Sequence, residues 1–172
     1  MKKEVLAVVL TVVFVFTGCT NHIKSGIELL EKGNYDEARM TFQQDIENGK
    51  NLDEAYRGFG IACFELEEYE EALEAFELAL EKETEETATL FSMMGACYME
   101  TGEYEKALDI YTKALSMEDI SEEIQQEIQY NLIAVYENMA DWDAAKKQMK
   151  SYKNAYPDDE PIEKEADFLE TR

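Results

Sequence analysis

The sequence has few of the residues that loops, metal sites and catalytic dyads require. It contains two prolines and eight glycines among 172 residues, which is few for a loop-rich β protein. It has one histidine, His22, and three cysteines whose spacing fits no metal motif. It also lacks a phosphate loop, a calcium loop and the G-x-S-x-G motif of hydrolases. We therefore predict that the protein is not an enzyme and requires no cofactor or metal.

Basic residues are scarce as well. There are 16 lysines and arginines against 39 aspartates and glutamates, which gives a formal net charge of −23. Such a surface repels nucleic acid phosphates, so we predict no nucleic acid partner. It would attract basic segments of other proteins. Most of these acids are interpreted as the solvated face of helices, because Glu, Ala, Leu, Lys and Met, all good helix formers, dominate beyond the N-terminus.

The one long uncharged apolar run lies at the N-terminus. It extends from Val5 to Phe16, after a short opening that contains two lysines, and it ends at Thr17-Gly18-Cys19. The run is shorter than the roughly 20 residues that cross a bilayer, and its layout is that of a secretion signal. An uncleaved membrane anchor is the alternative.

Residues 16–19 resemble the lipobox of bacterial lipoproteins, although Phe16 stands where that family usually has an aliphatic residue. The resemblance implies that residues 1–18 are a lipoprotein signal peptide, that Cys19 carries the lipid, and that residues 19–22 form a lipidated tether. The protein would then be lipid-anchored at the cell membrane, on the extracytoplasmic side.

Four short segments of the sequence are alike and recur at a nearly constant spacing. Each begins with an aromatic residue, and these are 34, 35 and 38 residues apart: Tyr35, Tyr69, Tyr104 and Trp142. Three positions later comes an alanine, and seven positions later a large side chain: Phe42, Phe76, Tyr111 and Met149. Seven residues are two helical turns, so these side chains share one helix face. Nine residues before three of the aromatic residues stands a glycine: Gly26, Gly60 and Gly95.

This arrangement predicts units of two antiparallel helices joined by a tight turn. The glycine would let a neighbouring helix approach closely, and Gly33 and Gly102 would end first helices in the left-handed conformation. One such pair cannot bury its apolar stripe alone, so the units must stack. The pattern closely resembles the tetratricopeptide repeat family. The resemblance implies an all-α fold, a right-handed superhelical solenoid of antiparallel helix pairs, with about four repeats over residues 23–157.

The two terminal units depart from the pattern. The first has Ser25 and Asp45 at positions that are usually apolar, and the fourth has Ile133 in place of the glycine and an extra turn at residues 121–125. Residues 158–172 begin with acids and a proline, as a helix start does. There Ile162, Ala166 and Leu169 share one face, and this predicts a C-terminal capping helix over the last unit.

In this family the first helices of the units line the concave side of the array, and in some members a lysine and an asparagine there clamp a peptide carboxylate. That pair is absent here. The matching positions predict an apolar groove with one cation, and our candidate ligand-binding residues are Arg57, Ile61, Phe64, Met99 and Tyr130. Alternatively, Ile61, Phe64 and Met99 simply pack against the neighbouring helix.

The predicted function is that of a scaffold or adaptor that binds basic or apolar segments of other proteins. Related proteins act in envelope assembly, secretion and cell-wall enzyme complexes. Two alternatives remain open, an acidic ion- or solute-binding surface lipoprotein and a self-assembling structural module. The other two cysteines, Cys63 and Cys97, are interpreted as small buried apolar side chains.

Overall fold

The described part of the chain consists of helices arranged in pairs. The computed structural model describes residues 22–82, 84–118 and 120–159, and beyond them Ile162, Ala166, Leu169 and Thr171. Residues 1–21, which include the lipobox-like segment and Cys19, lie outside the described residues. The helices are α1 (His22–Glu31), α2 (Tyr35–Glu47), α3 (Leu52–Glu65), α4 (Tyr69–Glu81), α5 (Ala88–Glu100), α6 (Tyr104–Leu115), α7 (Glu122–Asn138) and α8 (Trp142–Ala155).

Each helix pair is one predicted unit, and the units stack in chain order. The four aromatic residues that mark the repeat are the first residues of α2, α4, α6 and α8. Each second helix packs against the first helix of its own unit and against that of the next unit. The all-α solenoid predicted from the sequence is therefore confirmed. The extra turn is present too, because α7 has 17 residues whereas α3 and α5 have 14 and 13.

The turn inside each unit uses a left-handed residue. Gly33 and Gly102 have φ angles of +73° and +78°, as their predicted role at a helix end requires. The same position is occupied in the second unit by Glu67 and in the fourth by Ala140, with φ angles of +62° and +57°. A residue with a Cβ is strained in this region by about 1 kcal/mol relative to glycine. The turn geometry is thus kept even where the sequence does not favour it.

The glycines inside the first helices receive aromatic rings from the second helices. The pairs are Gly26 with Phe42, Gly60 with Phe76 and Gly95 with Tyr111. A Cβ on Gly60 would lie 2.6 Å from two ring carbons of Phe76, and that ring is fully buried. The close approach that the sequence predicts is therefore specifically between a glycine and a ring, not between two backbones.

In the fourth unit, different side chains occupy the positions of the glycine and the ring. Ile133 occupies the glycine position and Met149 occupies the ring position, and both belong to one buried cluster. Methionine is slender and flexible, so it leaves room for a branched side chain where a planar ring would collide. The departure from the repeat pattern at this unit is thus a paired exchange.

The first unit contains a contact between a histidine and an aspartate at its unusual position. Asp45 is 4% exposed, and its Oδ1 lies 3.1 Å from Nδ1 of His22. His22, which the sequence analysis gave as the last residue of the tether, is the first residue of α1. The sole histidine of the sequence instead pairs with the aspartate that replaces an apolar residue, and so joins the start of α1 to α2.

The predicted cap over the last unit is also present. The three residues that share a face are buried against α7 and α8, in a cluster with Ile133, Ala145, Met149 and Tyr152. Ile162 and Leu169 are each 1% exposed. They cover an apolar surface that the next unit would cover in a longer array.

Leu169→Ala should therefore destabilise the C-terminal end of the array. We expect the free energy of unfolding to fall by about 2 to 3 kcal/mol, because the truncation leaves a cavity above Met149 and Tyr152. Hydrogen exchange should accelerate first in α7 and α8. Met40→Ala is the matched truncation at the surface, since Met40 is 60% exposed, and it should change little. Unchanged exchange in α8 of Leu169→Ala would contradict the capping role.

Candidate partner-binding groove

Three of the candidate residues lie on one face of α3. Arg57, Ile61 and Phe64 follow one another at intervals of four and three residues, and this spacing places them in a row along the helix. Two glycines of α3 flank this row and receive rings of the second helices, Gly58 that of Phe42 and Gly60 that of Phe76. Arg57 is nevertheless exposed, and Ile61 and Phe64 are half-buried, so the row keeps an accessible surface.

Arg57 is exposed and has no ion pair or side-chain hydrogen bond with any residue in the described ranges. Arg39, by contrast, lies against Glu68 and Asp36 and ties the first unit to the second. An arginine with no acidic partner among the described residues is unusual in so acidic a protein. Its guanidinium is therefore available to an external carboxylate.

The apolar candidates on α3 and α5 are half-buried. Ile61, Phe64 and Met99 all pack against the central core cluster, and the ring of Phe64 meets that of Tyr69 edge-on with centroids 6.0 Å apart. Each keeps part of its side chain accessible. Ile27, at the same repeat position on α1 as Ile61 on α3, is 42% exposed. These side chains thus pack against the core and still leave part of their apolar surface accessible.

Tyr130 lies in different surroundings from the other four candidates. It is 41% exposed on α7, and its ring meets that of Tyr152 on α8 with centroids 5.9 Å apart. The ring of Tyr152 in turn lies 4.9 Å from that of Tyr156. Tyr130 is therefore part of an aromatic cluster with α8, at the C-terminal end of the array.

The third unit has no cation at the position of Arg57. The equivalent residue, Ser92, is 1% exposed, and its hydroxyl donates a hydrogen bond of 2.9 Å to Oε1 of Glu127 on α7. The carboxylate of Glu127 thus lies over this position. The charge of the groove therefore changes along its length, from the guanidinium of Arg57 at the second unit to the carboxylate of Glu127 over the third.

The two described cysteines are free and fully buried. Burial raises the pKa of the Cys63 thiol to about 12, and burial likewise raises the pKa of Cys97 to about 12. Both therefore stay protonated near neutral pH. Only the deprotonated thiolate acts as a nucleophile or metal ligand, so neither cysteine is suited to these roles. This agrees with their interpretation as small apolar side chains. Among the residues described, no cluster of three or more His, Cys, Asp or Glu side chains is arranged to hold a metal ion.

Comparison with known protein families identifies the repeat. Two profiles described as tetratricopeptide repeat match the chain, one over residues 54–118 and the other over residues 127–159. Together they account for more than half of the sequence. The chain is a tetratricopeptide repeat protein. Members of this family are in general scaffolds that bind other proteins or peptides. No match was found among curated protein sequences.

Solved structures share the architecture of this tetratricopeptide repeat protein. YrrB, described as a TPR protein with an unusual peptide-binding site, superposes with a TM-score of 0.73 at 21% identity, over 87% of this chain and 75% of YrrB. The MamA protein gives 0.73 at 17% identity, over 87% and 79% of the two chains. PilF of Pseudomonas aeruginosa gives 0.67 at 19%, over 87% and 66%. At such identities the likeness shows the fold.

A second depression, which the sequence analysis did not identify, lies on the face formed by the second helices. It has a volume of about 290 Å³ between α2 and α4, with α3 beneath. We call it the second-helix groove, and the residues that line it are Gln43, Ile46, Glu47, Tyr56, Phe59, Glu71, Glu74, Ala75 and Leu78.

None of the helices in the described ranges is both long enough and apolar enough to cross a membrane.

Proposed function

We propose that this tetratricopeptide repeat protein is a non-catalytic adaptor, anchored by a lipid on Cys19 to the outer face of the cytoplasmic membrane. It binds an apolar segment of a partner protein along the first helices, in the assembly of an envelope or secretion complex. The observation that carries the proposal is the row on α3, in which an exposed Arg57, without an ion pair to any described residue, precedes the half-buried Ile61 and Phe64.

The chemistry of this row favours an apolar segment that carries a carboxylate. The fork of the guanidinium binds a carboxylate through two parallel hydrogen bonds, and partial desolvation beside Ile61 and Phe64 strengthens them. Met99 is a flexible apolar side chain that adapts to different ligands. A peptide-binding site is stated for YrrB, which has the same fold, and this supports the choice of a peptide as ligand.

The proposed anchor would keep the first unit near the membrane. Cys19 precedes His22, the first residue of α1, by three residues, and an extended tether of that length reaches roughly 10 Å. The acidic surface is repelled by anionic headgroups, whereas the lipid holds it nearby. The array would therefore present its grooves to proteins at the membrane surface.

Arg57→Glu should sharply reduce partner binding. We expect recovery of the partner to fall by about tenfold or more, because a lost arginine–carboxylate pair at an apolar surface costs about 2 kcal/mol or more. The measurement is quantitative mass spectrometry after affinity capture from membranes. Helix content should remain that of the wild type, since Arg57 is exposed and makes no described contact.

Lys50→Glu supplies the matched control. Lys50 is also exposed and also lacks a described ion pair, so the substitution changes the net charge equally but leaves the row on α3 intact. The proposal requires that Lys50→Glu recovers the same proteins as the wild type while Arg57→Glu does not. Recovery of the same proteins by both variants would show that the first helices are not the binding site.

A further inference from the structure

The second-helix groove combines an apolar floor with an acidic rim. Its floor is formed by half-buried side chains: Ile46, Tyr56, Phe59 and Leu78. Glu47, Glu71 and Glu74 stand exposed around it, and none of them pairs with a lysine or arginine of the described chain. Helix α4 itself carries five glutamates and no basic residue. The surroundings of this groove therefore attract positive charge.

The next junction in the same array shows how such a groove is filled. Phe91 and Lys113 occupy the repeat positions of Tyr56 and Leu78, 35 residues further along the chain. There Nζ of Lys113 lies 4.2 Å from the centroid of the Phe91 ring and donates a hydrogen bond of 3.0 Å to Glu86. The second junction thus places its own ammonium over its aromatic floor, between the ring and a carboxylate.

The first junction has the ring but not the ammonium, since Leu78 stands in place of Lys113. Asn51 stands in place of Glu86, and the carboxylates here are Glu71, in place of Lys106, and Glu74. The aromatic face of Tyr56 at the bottom of an acidic rim favours a cation, which would be held by the ring quadrupole and by the carboxylates together. The neighbouring Ile46, Phe59 and Leu78 add apolar surface beside that position.

We infer that the second-helix groove is a separate docking site for a basic, apolar segment of a partner protein. A lysine or arginine of that segment lies over Tyr56 between Glu71 and Glu74, where Lys113 would lie in the following unit. An adjacent leucine-like side chain packs against Ile46 and Phe59. The site is distinct from the groove of the first helices, so the array can hold two segments at once, one on each face.

A labelled helical peptide of leucine and lysine tests this site on the full chain in a nonionic detergent, by fluorescence anisotropy. Glu71→Lys combined with Glu74→Lys should weaken binding by about tenfold or more, because both rim charges then repel the peptide. The control is Glu70→Lys with Glu81→Lys, which gives the same net charge on the same helix, away from the groove. That control should bind as the wild type does to within about twofold. Equal weakening in both pairs would show only general attraction to an acidic surface and would overturn the site.

Leu78→Lys provides an independent test, since it introduces the ammonium that the next unit already has. We expect it to close the groove and to abolish peptide binding, whereas Leu78→Met should preserve it. Arg57→Glu should leave the affinity for this peptide unchanged, so failure here is distinguishable from failure of the first-helix groove. If sedimentation instead shows wild-type dimers that Glu71→Lys with Glu74→Lys dissociates, the occupant is a second copy and the proposed partner is wrong.

Discussion

Gly60→Ile should lower the free energy of unfolding by about 3 kcal/mol, because an added side chain would collide with a ring that has no space to move. A Cβ at this position lies 2.6 Å from the ring of Phe76, which is fully buried. The isoleucine branches at that same carbon, so it cannot turn away from the ring. Urea unfolding followed by circular dichroism measures the loss.

The fourth unit indicates how the loss can be repaired. Its Ile133 and Met149 occupy the positions of Gly60 and Phe76, and both are buried. Phe76→Met alone should destabilise the protein by about 1 to 2 kcal/mol, through the space that the ring leaves. The double variant should be more stable than Gly60→Ile alone, with a favourable coupling energy of about 3 kcal/mol that exceeds the cost of Phe76→Met.

Ser25→Ile is the control, since it adds a β-branched side chain at an exposed position of α1 and should change stability by less than about 0.5 kcal/mol. Additive effects of Gly60→Ile and Phe76→Met would contradict the paired exchange. In that case the fourth unit would tolerate Ile133 for a reason of its own, such as its position beside the cap.

The architecture could be predicted from the sequence because the same residue spacing recurs in four units, so each unit supports the interpretation of the others. One helix with Tyr35 and Phe42 on a face is a weak signal, but the same spacing at four places leaves few alternatives. The capping role of Ile162 and Leu169 follows by the same logic, since a stacked array must end in a covered face. What the pattern could not supply is which atoms meet. That Gly60 faces a ring depends on the rotation of α3 against α4, which spacing along one chain does not fix.

The candidate site was less predictable, because exposure depends on the neighbouring units. Ser92 and Arg57 hold the same repeat position, yet only Ser92 is buried, under a carboxylate from the next unit. Tyr130 was grouped with Arg57 from its position in the repeat, but its ring rests on Tyr152 of α8. Glu127 lies on α7, and its hydrogen bond to Ser92 depends on how α7 packs against α5, which alignment of the units does not give.

The second-helix groove could not be predicted from the sequence, for a different reason. The family pattern predicts a ligand groove on the first helices, whereas this groove lies between the second helices α2 and α4. The signal was present in the exchange of Lys113 for Leu78 between consecutive units. An isolated leucine on a helix surface carries no information, however, until the structure places it in one depression with Tyr56, Glu71 and Glu74.

If the lipid anchor proposed for this protein exists, Cys19→Ser should abolish fatty-acid labelling almost completely and block the cleavage before residue 19. A serine hydroxyl cannot form the thioether that holds the lipid. The variant should therefore retain residues 1–18, including the apolar run from Val5 to Phe16. Fractionation of cells together with metabolic labelling by an alkyne fatty acid measures the change. Cys63→Ala and Cys97→Ala are the matched controls, since both thiols are fully buried, and the two variants should remain labelled and membrane-bound.

The outcome separates lipidation from the competing interpretation of the N-terminus. If the apolar run from Val5 to Phe16 instead serves as an uncleaved anchor, the wild type is unlabelled as well and its intact mass begins at Met1. If Cys19 is lipidated, the wild-type mass begins at Cys19 and includes the lipid, and the variant accumulates unlabelled. The Phe16 departure gives a further check, because Phe16→Leu restores the usual aliphatic residue of the lipobox and should speed the cleavage before Cys19. Faster cleavage in Phe16→Leu and its failure in Cys19→Ser would together place the start of the mature chain three residues before α1.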